Sequence, residues 1–308
     1  MKRDFINDWD LSQKEMLQIL KLAKELKQKQ KKGKEHKLLK GKQLAMIFEK
    51  PSTRTRISFE VGINQLGGNA LYLAPDQMQI GRGETIADTA KVLSRYVDCI
   101  MARVFSHSTI QELAQNATVP VINGLSDFLH PCQTISDAMT ISEHAKKFKS
   151  TNLAYLGAAN NVSNSLMLTS SILGMNFYLH SPQEFPQDQK ILSKAKEFAK
   201  KTGSIIETNN EINESISQMD FIYTDVWISM GQNLEKEKII PILKPFQINQ
   251  QLLNKAKKAK VMHCLPAHRG EEITNDAMDG KQSIVFQQAE NRLHAQKALM
   301  VFLLKRRK

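Results

Sequence analysis

The chain has 308 residues, of which 41% are hydrophobic and 24% charged, a composition typical of a globular protein with one large or two smaller domains. It contains no apolar stretch long enough for a transmembrane helix and no apolar leader, so we expect a cytoplasmic protein without a membrane partner. The 3 cysteines are far apart, which argues against a disulfide scaffold and favours a reducing compartment.

The net charge of +12 lies partly in a lysine-rich block over residues 21–42. Such a block is also found in nucleic-acid-binding proteins. Here Leu17, Leu20 and Leu26 share one helical face, which predicts an amphipathic helix over residues 11–30 with its lysines in solvent. Because no aromatic side chain stands among the lysines to stack on bases, we expect no nucleic-acid partner. Whether this helix has some other partner stays open.

Strand and helix patterns then alternate through two segments. The first predicts strands at 44–48, 70–73, 97–101 and 119–123, and helices at 53–66, 85–96, 107–115 and 134–147. The second predicts strands at 152–157, 176–179, 204–207, 221–226 and 260–263, and helices at 162–173 and 190–201. This alternation predicts an α/β protein of two doubly wound domains with parallel sheets, over residues 1–147 and 151–289. A C-terminal amphipathic helix, 292–308, is expected to pack back on the first domain.

The stretch from Phe48 to Arg56 marks the passage from the first strand into a helix. The first turn of a helix has free backbone N–H groups and the positive end of the helix dipole. The side chains there add hydroxyl donors and fixed positive charge: Ser52, Thr53, Arg54, Thr55 and Arg56. A strand followed by this combination predicts a binding site for a phosphate or a similar anion.

Polar side chains also stand where the other predicted strands end: Arg103, His130, Asn161, Asp225, Ser229, His263 and Cys264. Ligands of parallel α/β sheets bind beyond these carboxyl ends, so we expect one active-site cleft between the two domains. The first domain offers cations for a small anion, and the second offers Asn161, Asp225 and Ser229 for an ammonium or a zwitterion. A phosphate-bearing electrophile beside an amine indicates group transfer. Phosphate-loop and dinucleotide-binding glycine motifs are missing, and His263 and Cys264 lack a partner pair, so we expect neither a cofactor nor a metal.

These stretches resemble one known family. The run Phe48 to Arg56, with Phe59 and Glu60, is similar to the carbamoyl-phosphate motif of aspartate and ornithine carbamoyltransferases, and His130-Pro-Cys-Gln133 is similar to their H-P-x-Q. Three stretches resemble the ornithine branch: Thr224-Asp-Val-Trp-Ile-Ser-Met-Gly231, His263-Cys-Leu-Pro266 and Gly157-Ala-Ala-Asn-Asn161. The stretch Glu290-Asn-Arg292 also matches. The similarity runs from about Trp9 to Leu304. The sequence departs from the family at Gly157-Ala-Ala, where Gly-Asp is frequent, and the loop around Gln79 varies within the family.

The resemblance implies a role for each matching residue. Carbamoyl phosphate would be bound by Ser52, Thr53, Arg54, Thr55, Arg103, His130, Gln133, Cys264, Leu265 and Arg292, with Gln79 reaching the site of a neighbouring subunit. Ornithine would be bound by Asn161, Asp225, Ser229 and Met230. The catalytic groups would be Thr55, Arg103, His130 and Cys264.

The resemblance also implies direct attack of the ornithine δ-amine on the carbamoyl carbon, without a covalent intermediate or a metal. It further implies a homo-oligomer, a trimer with shared active sites. The alternatives left open are aspartate or putrescine as the acceptor, an arginine-forming or an arginine-degrading direction, the size of the oligomer, and the group that accepts the proton of the amine.

Overall fold

The computed structural model describes residues 2–74, 76, 78–79, 83–228 and 235–305. The chain divides into two compact units, Met1–Met139 with Glu290–Lys308 and Thr140–Ala289, which we call the first and the second unit. The first unit is thus built from both ends of the chain, whereas the second is continuous. None of the helices in the described ranges combines the length and the hydropathy that a membrane crossing needs.

The first part of the chain alternates helices and strands. In chain order these are α1 (Gln13–Lys31), β1 (Gln43–Phe48), α2 (Thr53–Gln65), β2 (Asn69–Leu73), α3 (Ile86–Tyr96), β3 (Cys99–Arg103), α4 (His107–Asn116), β4 (Val121–Leu125) and α5 (Pro131–His144). A 3-10 turn at Asp8–Asp10 precedes them. The four strands form a parallel sheet in the order β2-β1-β3-β4. Because β1 and β3 are inner strands with helices on the sheet faces, their residues are almost all buried.

The alternation continues through the rest of the chain. The elements are β5 (Asn152–Leu156), α6 (Asn161–Leu173), β6 (Asn176–His180), α7 (Gln189–Thr202), β7 (Ile206–Asn209), β8 (Phe221–Thr224), α8 (Lys236–Leu243), α9 (Gln250–Lys255), β9 (Lys260–His263), α10 (Asn275–Asp279) and α11 (Val285–Leu304). Two short 3-10 turns lie at Glu214–Gln218 and Lys244–Phe246. The second parallel sheet has the order β7-β6-β5-β8-β9, with Ile222 and Val261 in a core that includes Ile273. The predicted α/β class with two parallel sheets is confirmed, and the cleft between the domains stays a prediction.

Helix α1 forms where its sequence pattern predicts it. Ser12 and Glu15 make a capping box at its start. Leu20 and Leu26 are buried, but Leu17, which was predicted to lie on the same apolar face, is 44% exposed. One lysine departs from the prediction of a solvated face. Lys27 is buried, and it donates to Asn291 Oδ1 at 2.7 Å in α11. The helix is therefore packed into the first unit on both its apolar and part of its basic surface.

Helix α11 begins at Val285, seven residues before the predicted start, and the structure describes it to Leu304. Its Lys297 is buried and donates to three neutral acceptors, Gln30 Oε1 and Gln65 Oε1 at 2.7 Å and His36 Nε2 at 3.1 Å. Burial lowers the pKa of Lys297 to about 8. These hydrogen bonds tie α11 to α1, to the loop that follows α1 and to α2 within the first unit.

Several other bounds differ from the prediction. Strands β3 and β4 begin two residues later than predicted, because Val97 caps α3 and Pro120 has no N–H for the ladder. Helix α5 begins at Pro131, three residues early, since proline is well suited to the first position of a helix. Arg103 is therefore the last residue of a strand, and Gln133 lies in the first turn of a helix. The short helices α8, α9 and α10 were not predicted.

Candidate active site

The predicted anion site begins at the N-terminus of α2. Ser52 caps the helix with an extended backbone, and its hydroxyl makes no capping hydrogen bond to the described backbone. The first turn, which starts at Thr53, contains no acidic side chain. Thr53 is exposed, and Ser52 and Arg54 are half-buried. The backbone N–H groups and the hydroxyls of this turn therefore present an uncompensated positive helix end.

Two arginines converge on the next residue of the turn. Thr55 is fully buried, and its Oγ1 accepts from Arg292 Nη2 at 2.9 Å and from Arg103 Nη1 at 3.3 Å. Arg103 ends β3, beside β1 in the sheet, and Arg292 comes from α11, far along the chain. The predicted residues of the first unit are thus brought together, with two guanidinium groups sharing one neutral oxygen.

His130 lies in the same electrostatic environment, directly before α5. Burial lowers the pKa of His130 well below its usual range, and the positive charges of Arg292 and Arg103 lower it further. The imidazole is therefore neutral at neutral pH. A neutral ring can donate one hydrogen bond without adding a third positive charge to the cluster.

Gln133 lies in the first turn of α5 and is almost fully buried. Its Nε2 donates to Asp137 Oδ1 at 2.9 Å, whereas its Oε1 has no hydrogen-bond partner among the described residues. A buried amide oxygen in this state is an acceptor that suits a ligand N–H. Gln79, by contrast, is exposed, and its backbone oxygen accepts from the N–H of Glu84. The predicted contact of Gln79 with a neighbouring subunit stays a prediction.

Lys50 is a residue of this region to which the sequence alone assigned no role. Its ammonium lies 3.8 Å from the centroid of the Phe105 ring. Burial, followed by the charge of Arg103, lowers its pKa. Lys50 therefore adds to the positive potential near Arg103. Its place within the predicted motif was the only sequence signal for it.

In the second unit, the predicted ornithine residues form a different cluster. Asp225 follows β8 and Cys264 follows β9, and these strands are neighbours. The Cys264 thiol donates to Asp225 Oδ1 at 3.0 Å, and Asn160 Nδ2 donates to Asp225 Oδ2 at 3.0 Å. Both donors are neutral, so the carboxylate is oriented while its negative charge is kept.

The asparagine that contacts Asp225 is Asn160, the neighbour of the predicted Asn161. Asn160 caps α6, where its Oδ1 accepts from the N–H groups of Val162 and Ser163 at 2.9 and 3.0 Å. Asn161 is the first residue of the helix and is half-buried. Helix capping fixes the amide of Asn160, which leaves its Nδ2 free to orient the carboxylate. The predicted Ser229 and Met230 lie outside the described residues.

Three donor groups at the ends of β8 and β9 lie close enough together to hold a metal: the carboxylate of Asp225, the imidazole of His263 and the thiol of Cys264. Both ring nitrogens of His263 are engaged, since Nδ1 accepts from the N–H of Leu265 at 2.9 Å and Nε2 lies 3.0 Å from Glu272 Oε1. The imidazole therefore has no lone pair to offer a cation in this arrangement. Leu265, predicted to act through its backbone, is half-buried.

Two family models match the chain, one over each half. Residues 3–143 match the family model described as aspartate/ornithine carbamoyltransferase, carbamoyl-P binding domain. Residues 149–303 match the model described as aspartate/ornithine carbamoyltransferase, Asp/Orn binding domain. The two matches together span nearly all of the sequence.

Individual relatives are similar over nearly their full length. The chain is 51% identical over 303 residues to an ornithine carbamoyltransferase of Anoxybacillus flavithermus, covering 98% of this chain and 96% of the relative. The solved ornithine carbamoyltransferase of Pyrococcus furiosus superposes with a TM-score of 0.95 at 50% identity, covering 100% of this chain and 98% of that chain. Ornithine transcarbamoylase of Giardia lamblia superposes with a TM-score of 0.90 at 33% identity over 100% of both chains. The resemblance carried by the motifs is confirmed, and the chain belongs to the aspartate/ornithine carbamoyltransferase family.

Proposed function

We infer that the protein transfers the carbamoyl group of carbamoyl phosphate to the δ-amine of L-ornithine, which gives L-citrulline and phosphate. The observation that carries the reaction class is the convergence of Arg103 and Arg292 on the Thr55 hydroxyl. A cluster with two fixed charges and a neutral donor, beside a helix N-terminus, suits a small phosphate ester.

The donor would be held through both of its ends. The phosphate is bound by the first turn of α2, through Ser52, Thr53, Arg54 and Thr55, and Arg292 completes this pocket. At the other end, the carbamoyl amide donates to Gln133 and to the backbone oxygen of Leu265. The support at Gln133 is its buried Oε1, which has no partner among the described residues.

The transition state would be stabilised at the carbonyl oxygen. As the amine attacks, negative charge grows on this oxygen, which Arg103, His130 and Thr55 bind. His130 acts as a neutral donor, because burial and the two arginines lower its pKa. One donor of this kind typically lowers the activation barrier by about 3 kcal/mol. The attack is direct and needs no covalent intermediate.

The acceptor, ornithine, would be held mainly through the groups on its α-carbon. Asp225 pairs with the α-ammonium of ornithine, and Asn161, Ser229 and Met230 complete the binding of the amino-acid end. Cys264 lies near the side-chain amine. The support is the oriented carboxylate of Asp225, whose hydrogen-bond partners Cys264 and Asn160 are neutral. An aspartate site would instead require cations at this place.

The amine must lose a proton before it attacks, because an ammonium has no lone pair. Amines of this type titrate near ~10.4 in water, so the bound state has to favour the neutral form. Before the attack, the phosphate group of the bound carbamoyl phosphate is a proton acceptor that the reaction itself supplies; after the attack, the second proton of the nitrogen can leave with the released phosphate. This step requires no dedicated base from the chain.

We further propose that the protein is a cytoplasmic homo-trimer in which Gln79 reaches a neighbouring subunit's site. In support, apolar side chains on α2 and β2 of the first unit are exposed, with Ile57 at 54% and Leu71 at 48% of their full exposure. Large apolar side chains grouped on a surface are typical of protein–protein contacts. Gln79 is exposed as well, as a contact with another copy requires.

One assay tests the acceptor directly. Purified protein is incubated with carbamoyl phosphate and, in parallel, ornithine, putrescine, aspartate or acetylornithine, and phosphate release and the carbamoylated product are measured. We expect citrulline from ornithine at a rate far above the others. Preference for another amine would overturn the acceptor, and phosphate release without any carbamoylated amine would overturn the reaction. An Arg54→Ala variant with normal activity at limiting carbamoyl phosphate would overturn the anion site.

A further inference from the structure

The turn that follows β9 has an unusual backbone. Leu265 has φ of 62°, one of two non-glycine residues in the described chain with a left-handed conformation. For a residue with a Cβ this conformation costs about 1–2 kcal/mol, so neighbouring groups must hold it. In the proposed function, this same residue offers its backbone oxygen to the carbamoyl amide. Whatever fixes the turn therefore sets the position of a group that binds the substrate.

The group that holds Leu265 is the imidazole of His263. The N–H of Leu265 donates to His263 Nδ1 at 2.9 Å. Because Nδ1 accepts, it carries no proton, and the ring proton of a neutral imidazole must lie on Nε2. Nε2 then donates to Glu272 Oε1 at 3.0 Å, and both side chains are 0% exposed. The carboxylate thus selects the tautomer in which His263 can hold the turn.

Glu272 is itself fixed by the loop that carries it. Its Oε1 also accepts from the N–H of His268, and its backbone oxygen accepts from the N–H of Ile248 at 2.9 Å. Gln247 Nε2 donates to the neighbouring Glu271 oxygen at 2.6 Å. The carboxylate is therefore held by its own backbone as well as by the histidine.

A contribution to the stability of the folded protein does not by itself explain why the Glu272 carboxylate is buried. A buried charged group loses its hydration, and apolar groups of the same shape are often as stable. Only one oxygen of Glu272 is used, since Oε2 has no hydrogen-bond partner among the described residues. A buried charge that is only half satisfied indicates a role in orientation.

Cys264 lies between the two residues of this hydrogen-bonded chain. Its thiol points to Asp225 Oδ1, 3.0 Å away. With His263 and Leu265 fixed on either side, the backbone of Cys264 has little freedom, and the thiol is aimed at the carboxylate. The orientation of Asp225 therefore depends in part on the same turn.

We propose that Glu272 is a positioning residue, which holds His263 in the Nε2–H tautomer and thereby aims the Leu265 backbone oxygen and the Cys264 thiol at the substrates. This assignment rests on the proposed function for what the turn binds, but the tautomer itself does not depend on that function. It also gives His263 a role other than that of a base, because both of its ring nitrogens are engaged within the protein.

Three variants test whether Glu272 affects turnover and the binding of carbamoyl phosphate. Glu272→Leu removes the acceptor, and kcat is expected to fall about 30-fold with a several-fold higher KM for carbamoyl phosphate, in line with loss of a supporting contact around a site. Glu272→Gln keeps an oxygen for His263 and should retain activity within about threefold of the wild type. Glu271→Gln, at the neighbouring and partly exposed position, is the matched control and should keep wild-type kinetics. Thermal unfolding of each variant separates loss of folded protein from loss of turnover.

A second pair of variants tests rescue. In His263→Ala with Glu272→Gln, the N–H of Leu265 has no acceptor. In His263→Asn with Glu272→Gln, the asparagine oxygen replaces Nδ1 as the acceptor. We expect the asparagine variant to be at least about fivefold more active than the alanine variant, as restoring one hydrogen bond predicts. Equal kcat values in the two would contradict the proposed holding of Leu265.

The tautomer is measured independently of activity by ¹⁵N spectra of histidine-labelled protein, with His263 assigned from its loss in the His263→Asn variant. The wild type should show a protonated Nε2 and a hydrogen-bonded, unprotonated Nδ1, and Glu272→Leu should shift this pattern. An Nδ1–H tautomer in the wild type, or an unchanged pattern in Glu272→Leu, would overturn the inference even if ornithine is carbamoylated. Conversely, an inactive wild type with the expected tautomer would overturn only the proposed function.

Discussion

The two units carry opposite charges at the carboxyl ends of their sheets. In the first unit, Arg103 and Arg292 share a neutral hydroxyl, and the nearby His130 is kept neutral. In the second unit, the negative Asp225 is held by a thiol and an amide, both neutral. Each cluster thus orients its charged groups with neutral partners.

This difference separates two requirements of one reaction. The donor is an anion whose carbonyl oxygen becomes more negative, so fixed positive charge is useful both for binding and for the transition state. In the proposed function, the acceptor brings a positive α-ammonium, with which the fixed carboxylate of Asp225 would pair. Changes in the first unit should therefore act on turnover and on carbamoyl phosphate, and changes in the second on ornithine.

The strongest way to break the comparison is Arg103→Met. We expect kcat to fall about 1,000-fold, because in the proposed mechanism this guanidinium stabilises the growing oxyanion, and such donors are worth about two to three orders of magnitude. Steady-state assays at saturating ornithine measure the effect. Arg95→Met, an exposed arginine at the end of α3, is the matched control and should remain fully active. If kcat fell by less than about tenfold, the proposed role of Arg103 in stabilising the transition state would be wrong.

The counterpart in the second unit is Asp225→Asn. The amide can still accept from Cys264, but it loses the charge that, in the proposed function, pairs with the α-ammonium. We expect kcat/KM for ornithine to fall about 100-fold, as for one broken buried charge pair. The KM for carbamoyl phosphate should change little, which measurements with each substrate varied in turn will show. If Glu211→Gln, an exposed charge-matched control, has the same effect, the assignment is wrong.

Cys264→Ala should have a smaller effect. The variant removes one neutral hydrogen bond to Asp225, so the carboxylate keeps its charge but is less well oriented. We expect about a tenfold loss in kcat/KM for ornithine, which corresponds to about 1.4 kcal/mol and is in line with one hydrogen bond to a charged group. Cys264→Ser, which can donate to the same oxygen, should recover most of the activity. Equal losses in the two variants would show that the hydrogen bond is not what matters.

The smallest predicted effect concerns pH and stability. The pKa of His130 is lowered in the folded protein from its ordinary value of 6.5. Below that value the unfolded chain takes up a proton that the folded protein does not, so stability is lost as the pH falls. The loss from one such group approaches about 1.4 kcal/mol per pH unit, until the folded pKa is reached.

Urea unfolding of wild type and His130→Asn between pH 7 and 5 measures how much of the pH-dependent loss of stability is due to His130. The free energy of unfolding of the variant should fall less steeply with decreasing pH. His180→Asn provides a comparison in the second unit, since burial also lowers the pKa of His180. Parallel curves for wild type and His130→Asn would show that the ring is protonated in the folded protein.

Local signals in the sequence were sufficient for much of the first cluster. The passage from a strand into Ser52-Thr-Arg-Thr-Arg is a contiguous pattern, and parallel topology places Arg103 beside it once the strands are recognised. The predicted starts of β3, β4 and α5 differed from the observed starts by two or three residues. These bounds depend on helix caps and on prolines, whose effects are weaker than hydrophobic periodicity.

Long-range contacts account for what was missed. Arg292 was predicted only through a family resemblance, because nothing local to α11 indicates that its guanidinium reaches Thr55. The hydrogen bond from Asn160 to Asp225 was not predicted, because it depends on how the cap of α6 orients the Asn160 amide. The pairing of His263 with Glu272 joins residues in no common element. No periodicity or spacing rule predicts such pairs.

The discontinuous first unit has a consequence for how the chain is made. The ribosome releases residues 2–139 long before 290–305, yet Lys297 must reach Gln30, His36 and Gln65, and Arg292 must reach Thr55. Domains generally fold as they emerge, the N-terminal one first. Here the contiguous second unit can complete its own contacts earlier in synthesis than the first. The first unit, which carries the predicted anion site, can therefore complete its contacts only after residues 290–305 have been made.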